Sequence, residues 1–368
     1  MSLSSSARCT GDVGALIPAP TDVSVDTLGK FVAIAGENGK VVVTDLANGS
    51  AIATSFDAHP APIVRVAWAH HRFGRVLLTA CENGEIGIWR AAQAAASSSG
   101  GGAGGQAGPS GAASPDDLAA APAHFARAHV HRLPCPCNSA AWAPNEFGLM
   151  FAAAGADGQV VILCARDAEL TQWDQQTVMT HGGGCHAVSW APCAAPGTLL
   201  QMPLGVPQQG GGHPGAAAGA AGQPGGAAGG QGAITLPAPR LVTCGPERSV
   251  RIWRYLAQDR HWLQEQELAD LPHEVLVVRD VAWAPNPGLP FGYVAAGTEE
   301  GAVGVWLQDG CDGKWRHHTI AQRFPAPVCR VGWSAAGSLL SVNCADGAST
   351  LWKEAPSGEW VCAFATQR

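Results

Sequence analysis

Residues 64–89 read VRVAWAHHRFGRVLLTACENGEIGIW. The stretch opens on an apolar segment that ends in Trp68 and closes on a β-branched segment that ends in Trp89. Between them, VLLTAC (76–81) is a second apolar run, and Glu82-Asn83-Gly84 separates it from the third. Asn-Gly between two short apolar runs predicts a β-hairpin, because glycine accepts the positive φ that tight hairpin turns require. Three short strands in about 25 residues leave no room for a helix of ordinary length.

The same plan recurs along the chain. VRDVAW (278–283) precedes Glu300-Gly301 and VGVW (303–306); NSAAW (138–142) precedes Asp157-Gly158 and VVIL (160–163). CHAVSW (185–190) is answered by RSVRIW (248–253), and VCRVGW (328–333) by Asp346-Gly347 and STLW (349–352). A first, weaker copy places VSVD (23–26) before Asn38-Gly39 and VVVTD (41–45). Trp68 to Trp89 is 21 residues, Trp142 to Leu163 is 21, Trp283 to Trp306 is 23 and Trp333 to Trp352 is 19. Six copies follow, each a small antiparallel sheet whose fourth strand lies in the stretch before the next copy. One such sheet cannot bury both faces, whereas six ranged around an axis cover one another. The fold class is all-β, a six-bladed WD-repeat β-propeller. Trp68, Trp89, Trp142, Trp190, Trp253, Trp283, Trp306, Trp333 and Trp352 supply the apolar area between blades.

Composition agrees. The 368 residues include 47 glycines and 26 prolines with only 14% charged residues, a profile of short strands and turns. The net charge of −7 provides no basic field for nucleic acid or anionic lipid. Twelve cysteines are scattered, several inside apolar runs (Cys164, Cys244, Cys344), as free thiols in a reducing compartment would be. The N-terminal MSLSSSARCTGDVGAL has neither the basic head nor the apolar run of a secretory signal, and no stretch reaches the ~20 apolar residues of a membrane span.

Two segments interrupt the pattern. Trp190 to Trp253 is 63 residues, and the excess is Gly/Ala/Pro-rich. We expect disordered inserts at 91–122 and 199–239, hung on blades two and four, because the repeat resumes in phase beyond each. Residues 1–12 are expected to be disordered and 13–368 to form the single propeller. Gly14–Val25 is expected to be the innermost strand of blade one, and Trp360–Ala365 the fourth strand of blade six. Each terminal blade then has four strands of its own, and the ring is expected to be open between blades one and six. Val41, Val43, Leu351, Trp360, Val361 and Phe364 are the expected partner-binding residues there, with a partner segment added as strands.

No catalytic signature stands in a usable context, and no enzyme activity or cofactor is expected. His129, His131, Cys135 and Cys137 form an H-x-H-x3-C-x-C run, too compact for a structural zinc site and stiffened by Pro134 and Pro136; no metal is expected. His59 and His181 are expected to hydrogen-bond within blades, and Arg279 with Asp280 to organise the turn and strand of blade five.

AWAHHRFGRVLLTACENGEIGIW (67–89), SAAWAPNEFGLMFAAAGADG (139–158), CHAVSWAPCAAPGTL (185–199), VRDVAWAPNPGLP (278–290) and TLWKEAPSGEWVC (350–362) resemble the Sec-thirteen family. The resemblance runs from about Val23 to Phe364 and rests on details outside the repeat, such as HRFG after Trp68 and NEFG after Trp142. It implies an open propeller completed by a partner-donated seventh blade. It also implies a structural role in the outer cage of coat protein complex II (COPII), with an α-solenoid coat subunit as partner, and in the nuclear pore, with a scaffold nucleoporin of the Y-shaped complex. The places implied are the cytoplasmic face of the endoplasmic reticulum and the nuclear envelope, with membrane association only through the assembly and no direct nucleic acid. The alternatives are a generic WD-repeat adaptor, such as a ubiquitin-ligase substrate receptor, or a sister propeller nucleoporin.

Overall fold

In the computed structural model, residues 13–49, 51–92, 124–196, 237–268, 271 and 277–366 are described. They form six four-stranded antiparallel sheets, each made of four consecutive strands: residues 20–57, 63–132, 137–179, 187–268, 278–319 and 328–365. The first strand of each sheet packs on the first strand of the next, from blade one through to blade six, so these strands line the axis of a propeller. They are Pro20–Val25, Ile63–Trp68, Cys137–Trp142, Ala187–Trp190, Val278–Trp283 and Val328–Trp333.

The N-terminal boundary differs from the expected one. Val13–Leu16 is a single helical turn, and the inner strand of blade one begins only at Pro20. Ile17, between the two, is 3% exposed and stands where a Cβ at Gly36 would be, so it closes the end of blade one. The third strand of blade two extends through Ala92, so residues 91 and 92 belong to the sheet. The rest of the first insert, all but residues 237–239 of the second, and residues 1–12 lie outside the described residues.

Blades two to six each pack one face on the blade before them. Five apolar cores result, between blades one and two, two and three, three and four, four and five, and five and six. All nine repeat tryptophans and Leu163 sit in these cores. Between blades three and four, blade three contributes small and aliphatic residues, such as Ala152, Ala154, Val160 and Ile162, and blade four contributes rings, such as Trp190, Trp253 and Trp262. Large rings against a flat floor of alanine and valine bury much area with few rotamers to fix.

Buried polar groups pin the tryptophans. Thr79 Oγ1 accepts from the Trp89 indole at 2.8 Å and bonds His59 Nε2 at 2.7 Å, while His59 Nδ1 meets Glu85 at 3.2 Å. Thr243, Trp253, His181 and Glu247 repeat the arrangement in blade four. Burial holds both imidazoles below their usual pKa, against the opposing pull of the glutamates. In blade five the threonine position is Ala296, and the Trp306 indole N–H has no acceptor among the described residues.

The turn glycines do more than reverse the chain. Gly39, Gly84, Gly158 and Gly301 have φ between 73° and 87°. Their carbonyls accept Ala58, Leu133, Thr180 and Phe324 N–H at 2.8–2.9 Å, fastening the chain as it leaves the outer strand for the next blade. That chain lies so close that a Cβ at Gly158 would stand 1.7 Å from the His181 carbonyl oxygen.

Candidate docking flank between blades six and one

Six blades and five cores leave one flank without a core among the described residues. Blade six and blade one meet at the axis, where Arg330 NH2 lies 3.1 Å from Asp22 Oδ1. Away from the axis, their inner strands have no packing comparable with that of the other neighbours.

The two faces of this flank depart from the repeat in a consistent way. In blades two to six the inner strand ends in Trp68, Trp142, Trp190, Trp283 or Trp333, turned toward the preceding blade. The indoles of Trp142, Trp190 and Trp333 donate to the carbonyls of Ala67, Ala141 and Ala282 at 3.0, 3.0 and 3.1 Å. An outer-strand ring stands beside the tryptophan of its own blade: Trp68 with Phe125, Trp190 with Trp262, Trp283 with Trp315, Trp333 with Trp360. Blade one ends its inner strand in Val25 instead, 54% exposed, with Val23, Leu28 and Leu46 also exposed.

Blade six answers with the floor on which a preceding-blade tryptophan would rest. In blade five that floor is the cross-strand row Ala282, Ala295 and Val305, and it carries Trp333. In blade six the row is Gly332, Ser341, Leu351 and Phe364. Phe364 is 57% exposed, and Val361 is exposed one row along. The Gly332 carbonyl, whose counterparts take an indole N–H, accepts the Ser341 hydroxyl at 3.1 Å.

The expected partner-binding residues divide on this geometry. Leu351, Val361 and Phe364 face the flank. Val41 and Val43 do not: both are fully buried against blade two, because alternate residues of that strand face opposite ways and theirs is the blade-two side. Trp360 is also inside, 9% exposed between Tyr293 and Trp333 in the core shared with blade five. The signal for the correct face was Val25, the single inner-strand end among six copies that lacks an aromatic ring.

The remaining candidates are structural. His129 and His131 lie on the outer strand of blade two, with His129 packed on Trp173 5.4 Å away, while Cys137 begins blade three. No group of three or more metal-ligating side chains gathers among the described residues. Burial pushes the thiols of Cys137 and Cys185 up to about 12, which makes them inert apolar filling. Arg279 pairs with Glu299 at the surface, whereas Asp280 turns into the axis toward Arg65 of blade two, so the two are not one turn-organising unit.

Over 355 residues the chain is 31% identical to protein transport protein SEC13 of Mycosarcoma maydis, covering 93% of this chain and 90% of that protein. It belongs to the SEC13 family. Protein transport protein SEC13 of Cryptococcus neoformans (29% identity; 93% of this chain, 92% of that one) and the SEC13 homolog of Drosophila melanogaster (26%; 92% and 78%) are further relatives. No family model matches the chain. A chain in the crystal structure of the mitotic checkpoint complex superposes with a TM-score of 0.57 over 91% of this chain and 74% of that one, at 16% identity, a likeness of fold.

Proposed function

We propose that this SEC13-family propeller is a structural subunit of protein transport, and that its flank between blades six and one receives a seventh blade from a partner. The observation that carries the reading is the pair of mismatched faces: a floor on blade six without its tryptophan, and a blade one without the ring that every other blade offers its predecessor. Each face has apolar side chains in the open, and a partner blade packed between the two covers both. The relatives' names point to transport, and the finer assignment is ours. The partners are an α-solenoid subunit of the COPII outer cage on the cytoplasmic face of the endoplasmic reticulum and a scaffold nucleoporin of the Y-shaped nuclear pore complex. Membrane association runs through the assembly.

Co-expression with the N-terminal segment of the solenoid coat subunit tests this. A Leu351→Asp, Phe364→Asp double variant is expected to lose the co-purifying segment by at least ~10-fold, since two carboxylates would be desolvated in the filled flank. Gln172→Asp, on the surface of blade three, is expected to retain it. Retention by a folded double variant moves the partner elsewhere on the propeller.

A further inference from the structure

The residue three places before each inner-strand terminus falls at Asp22, Arg65, Ser139, Ala187, Asp280 and Arg330 in the six blades. All but Ala187 line a channel of about 360 Å³. Four of the six carry charge, two of each sign.

The bonds these four make form a circuit. Arg330 of blade six reaches Asp22 of blade one at 3.1 Å. Asp22 uses its other oxygen, Oδ2, to accept Val66 N–H of blade two at 2.9 Å. The neighbouring Arg65 of blade two crosses the channel to Asp280 of blade five at 3.2 Å, and its Nε donates to Ser139 of blade three. Asp280 Oδ2 then accepts Val331 N–H of blade six at 2.9 Å, one residue from Arg330, where the circuit began. Blades five and six, and blades one and two, are joined in any case by an apolar core. Across the flank there is no apolar core among the described residues, and Arg330 to Asp22 is the link that the circuit supplies.

We infer that the Arg330–Asp22 pair, braced by Arg65 and Asp280, is a clasp that holds the first and last blades together at the axis and sets the width of the flank before any partner arrives. Both side chains of the pair are largely shielded, 32% and 15% exposed, and each aspartate is pinned by a backbone N–H, so the carboxylates are fixed anchors. Burial raises the carboxyls of Asp22 and Asp280 above the usual range, and the Arg65 guanidinium opposes the rise. The clasp is a property of the chain alone and stands whether or not the flank takes a seventh blade.

The test is a distance measurement across the flank by pulsed electron resonance. Spin labels are placed at Ala47 and Ser357, both exposed on the rims of blades one and six, with Cys9, Cys311, Cys329 and Cys362 replaced by serine. The parent protein is expected to give one narrow distribution. Arg330→Met is expected to shift it to longer distance and broaden it, and Arg330→Lys to restore the narrow peak. Asp22→Asn, which keeps an oxygen for Val66 N–H, is expected to broaden it as Arg330→Met does, and the double variant to broaden it no further, because the two changes break the same pair. If Arg330→Met fails to fold, Asp22→Asn carries the test alone. An unchanged distribution in Asp22→Asn, Arg330→Lys as broad as Arg330→Met, or additive broadening in the double variant overturns the clasp.

Discussion

Trp283→Ala is expected to lower stability by roughly 3–5 kcal/mol, the range for deleting a large buried ring. Trp283 is 7% exposed; it closes the core between blades four and five, lies 5.6 Å from Trp315 and carries the Arg240 guanidinium over its face at 5.3 Å. Its backbone N–H is held by Ser189 Oγ at 3.0 Å, so the strand stays in place when the side chain goes and the cavity does not collapse readily. The same repeat position in blade one is Val25, and there Val25→Ala is expected to change stability by less than ~0.5 kcal/mol, as exposed sites generally do. Chemical denaturation of both variants checks the pair. A Trp283→Ala protein within ~1 kcal/mol of the parent would remove that ring from the inter-blade core.

Gly158→Ala is the second large effect, with an expected cost of about 3–5 kcal/mol that combines a left-handed backbone with a collision. The backbone at Gly158 has φ 85°, and the new methyl would fall 1.7 Å from the His181 carbonyl oxygen. That oxygen cannot step aside, because Thr180 and His181 N–H are both bonded to the Gly158 carbonyl and His181 is tied to Thr243 and Glu247. Gly347 makes the comparison. It occupies the same turn of blade six with φ 83°, yet among the described residues a Cβ there meets nothing within 4 Å. Gly347→Ala is expected to cost only the backbone preference, about 1–2 kcal/mol. Equal losses in the two variants, measured by denaturant midpoint, would mean that the crowding at Gly158 is not what its glycine serves.

The fold was legible because the repeat states its own periodicity. Tryptophan at strand ends and glycine in the intervening turn mark strands in blades two to six, and both patterns are local. Even the four-strand content of the terminal blades followed from counting apolar runs at either end. The face on which a residue lies was less legible. Val41 and Val43 are as apolar as Leu351 and Phe364, and the choice between core and flank depends on a one-residue phase that apolar content does not report when a strand is hydrophobic on both sides. Val25 did report it, through the absence of a ring where five other copies have one. The axial charges were the least legible. Arg65 and Asp280 are 215 residues apart and bond across a channel that exists only once the ring has formed, so Asp280 beside Arg279 looked like a local pair. Residues distant in sequence that share a repeat position are the signal for such a belt, and the six can be aligned by counting back from each inner-strand terminus.

Hydrogen exchange with and without the solenoid coat subunit's N-terminal segment tests the flank between blades six and one as the docking site. Amides gaining protection are expected in Pro20–Val25 of blade one and in Ser349–Glu354 and Trp360–Ala365 of blade six, with blades three and four unchanged. Protection gained on blades three and four, with those three strands exchanging as in the free protein, would contradict it.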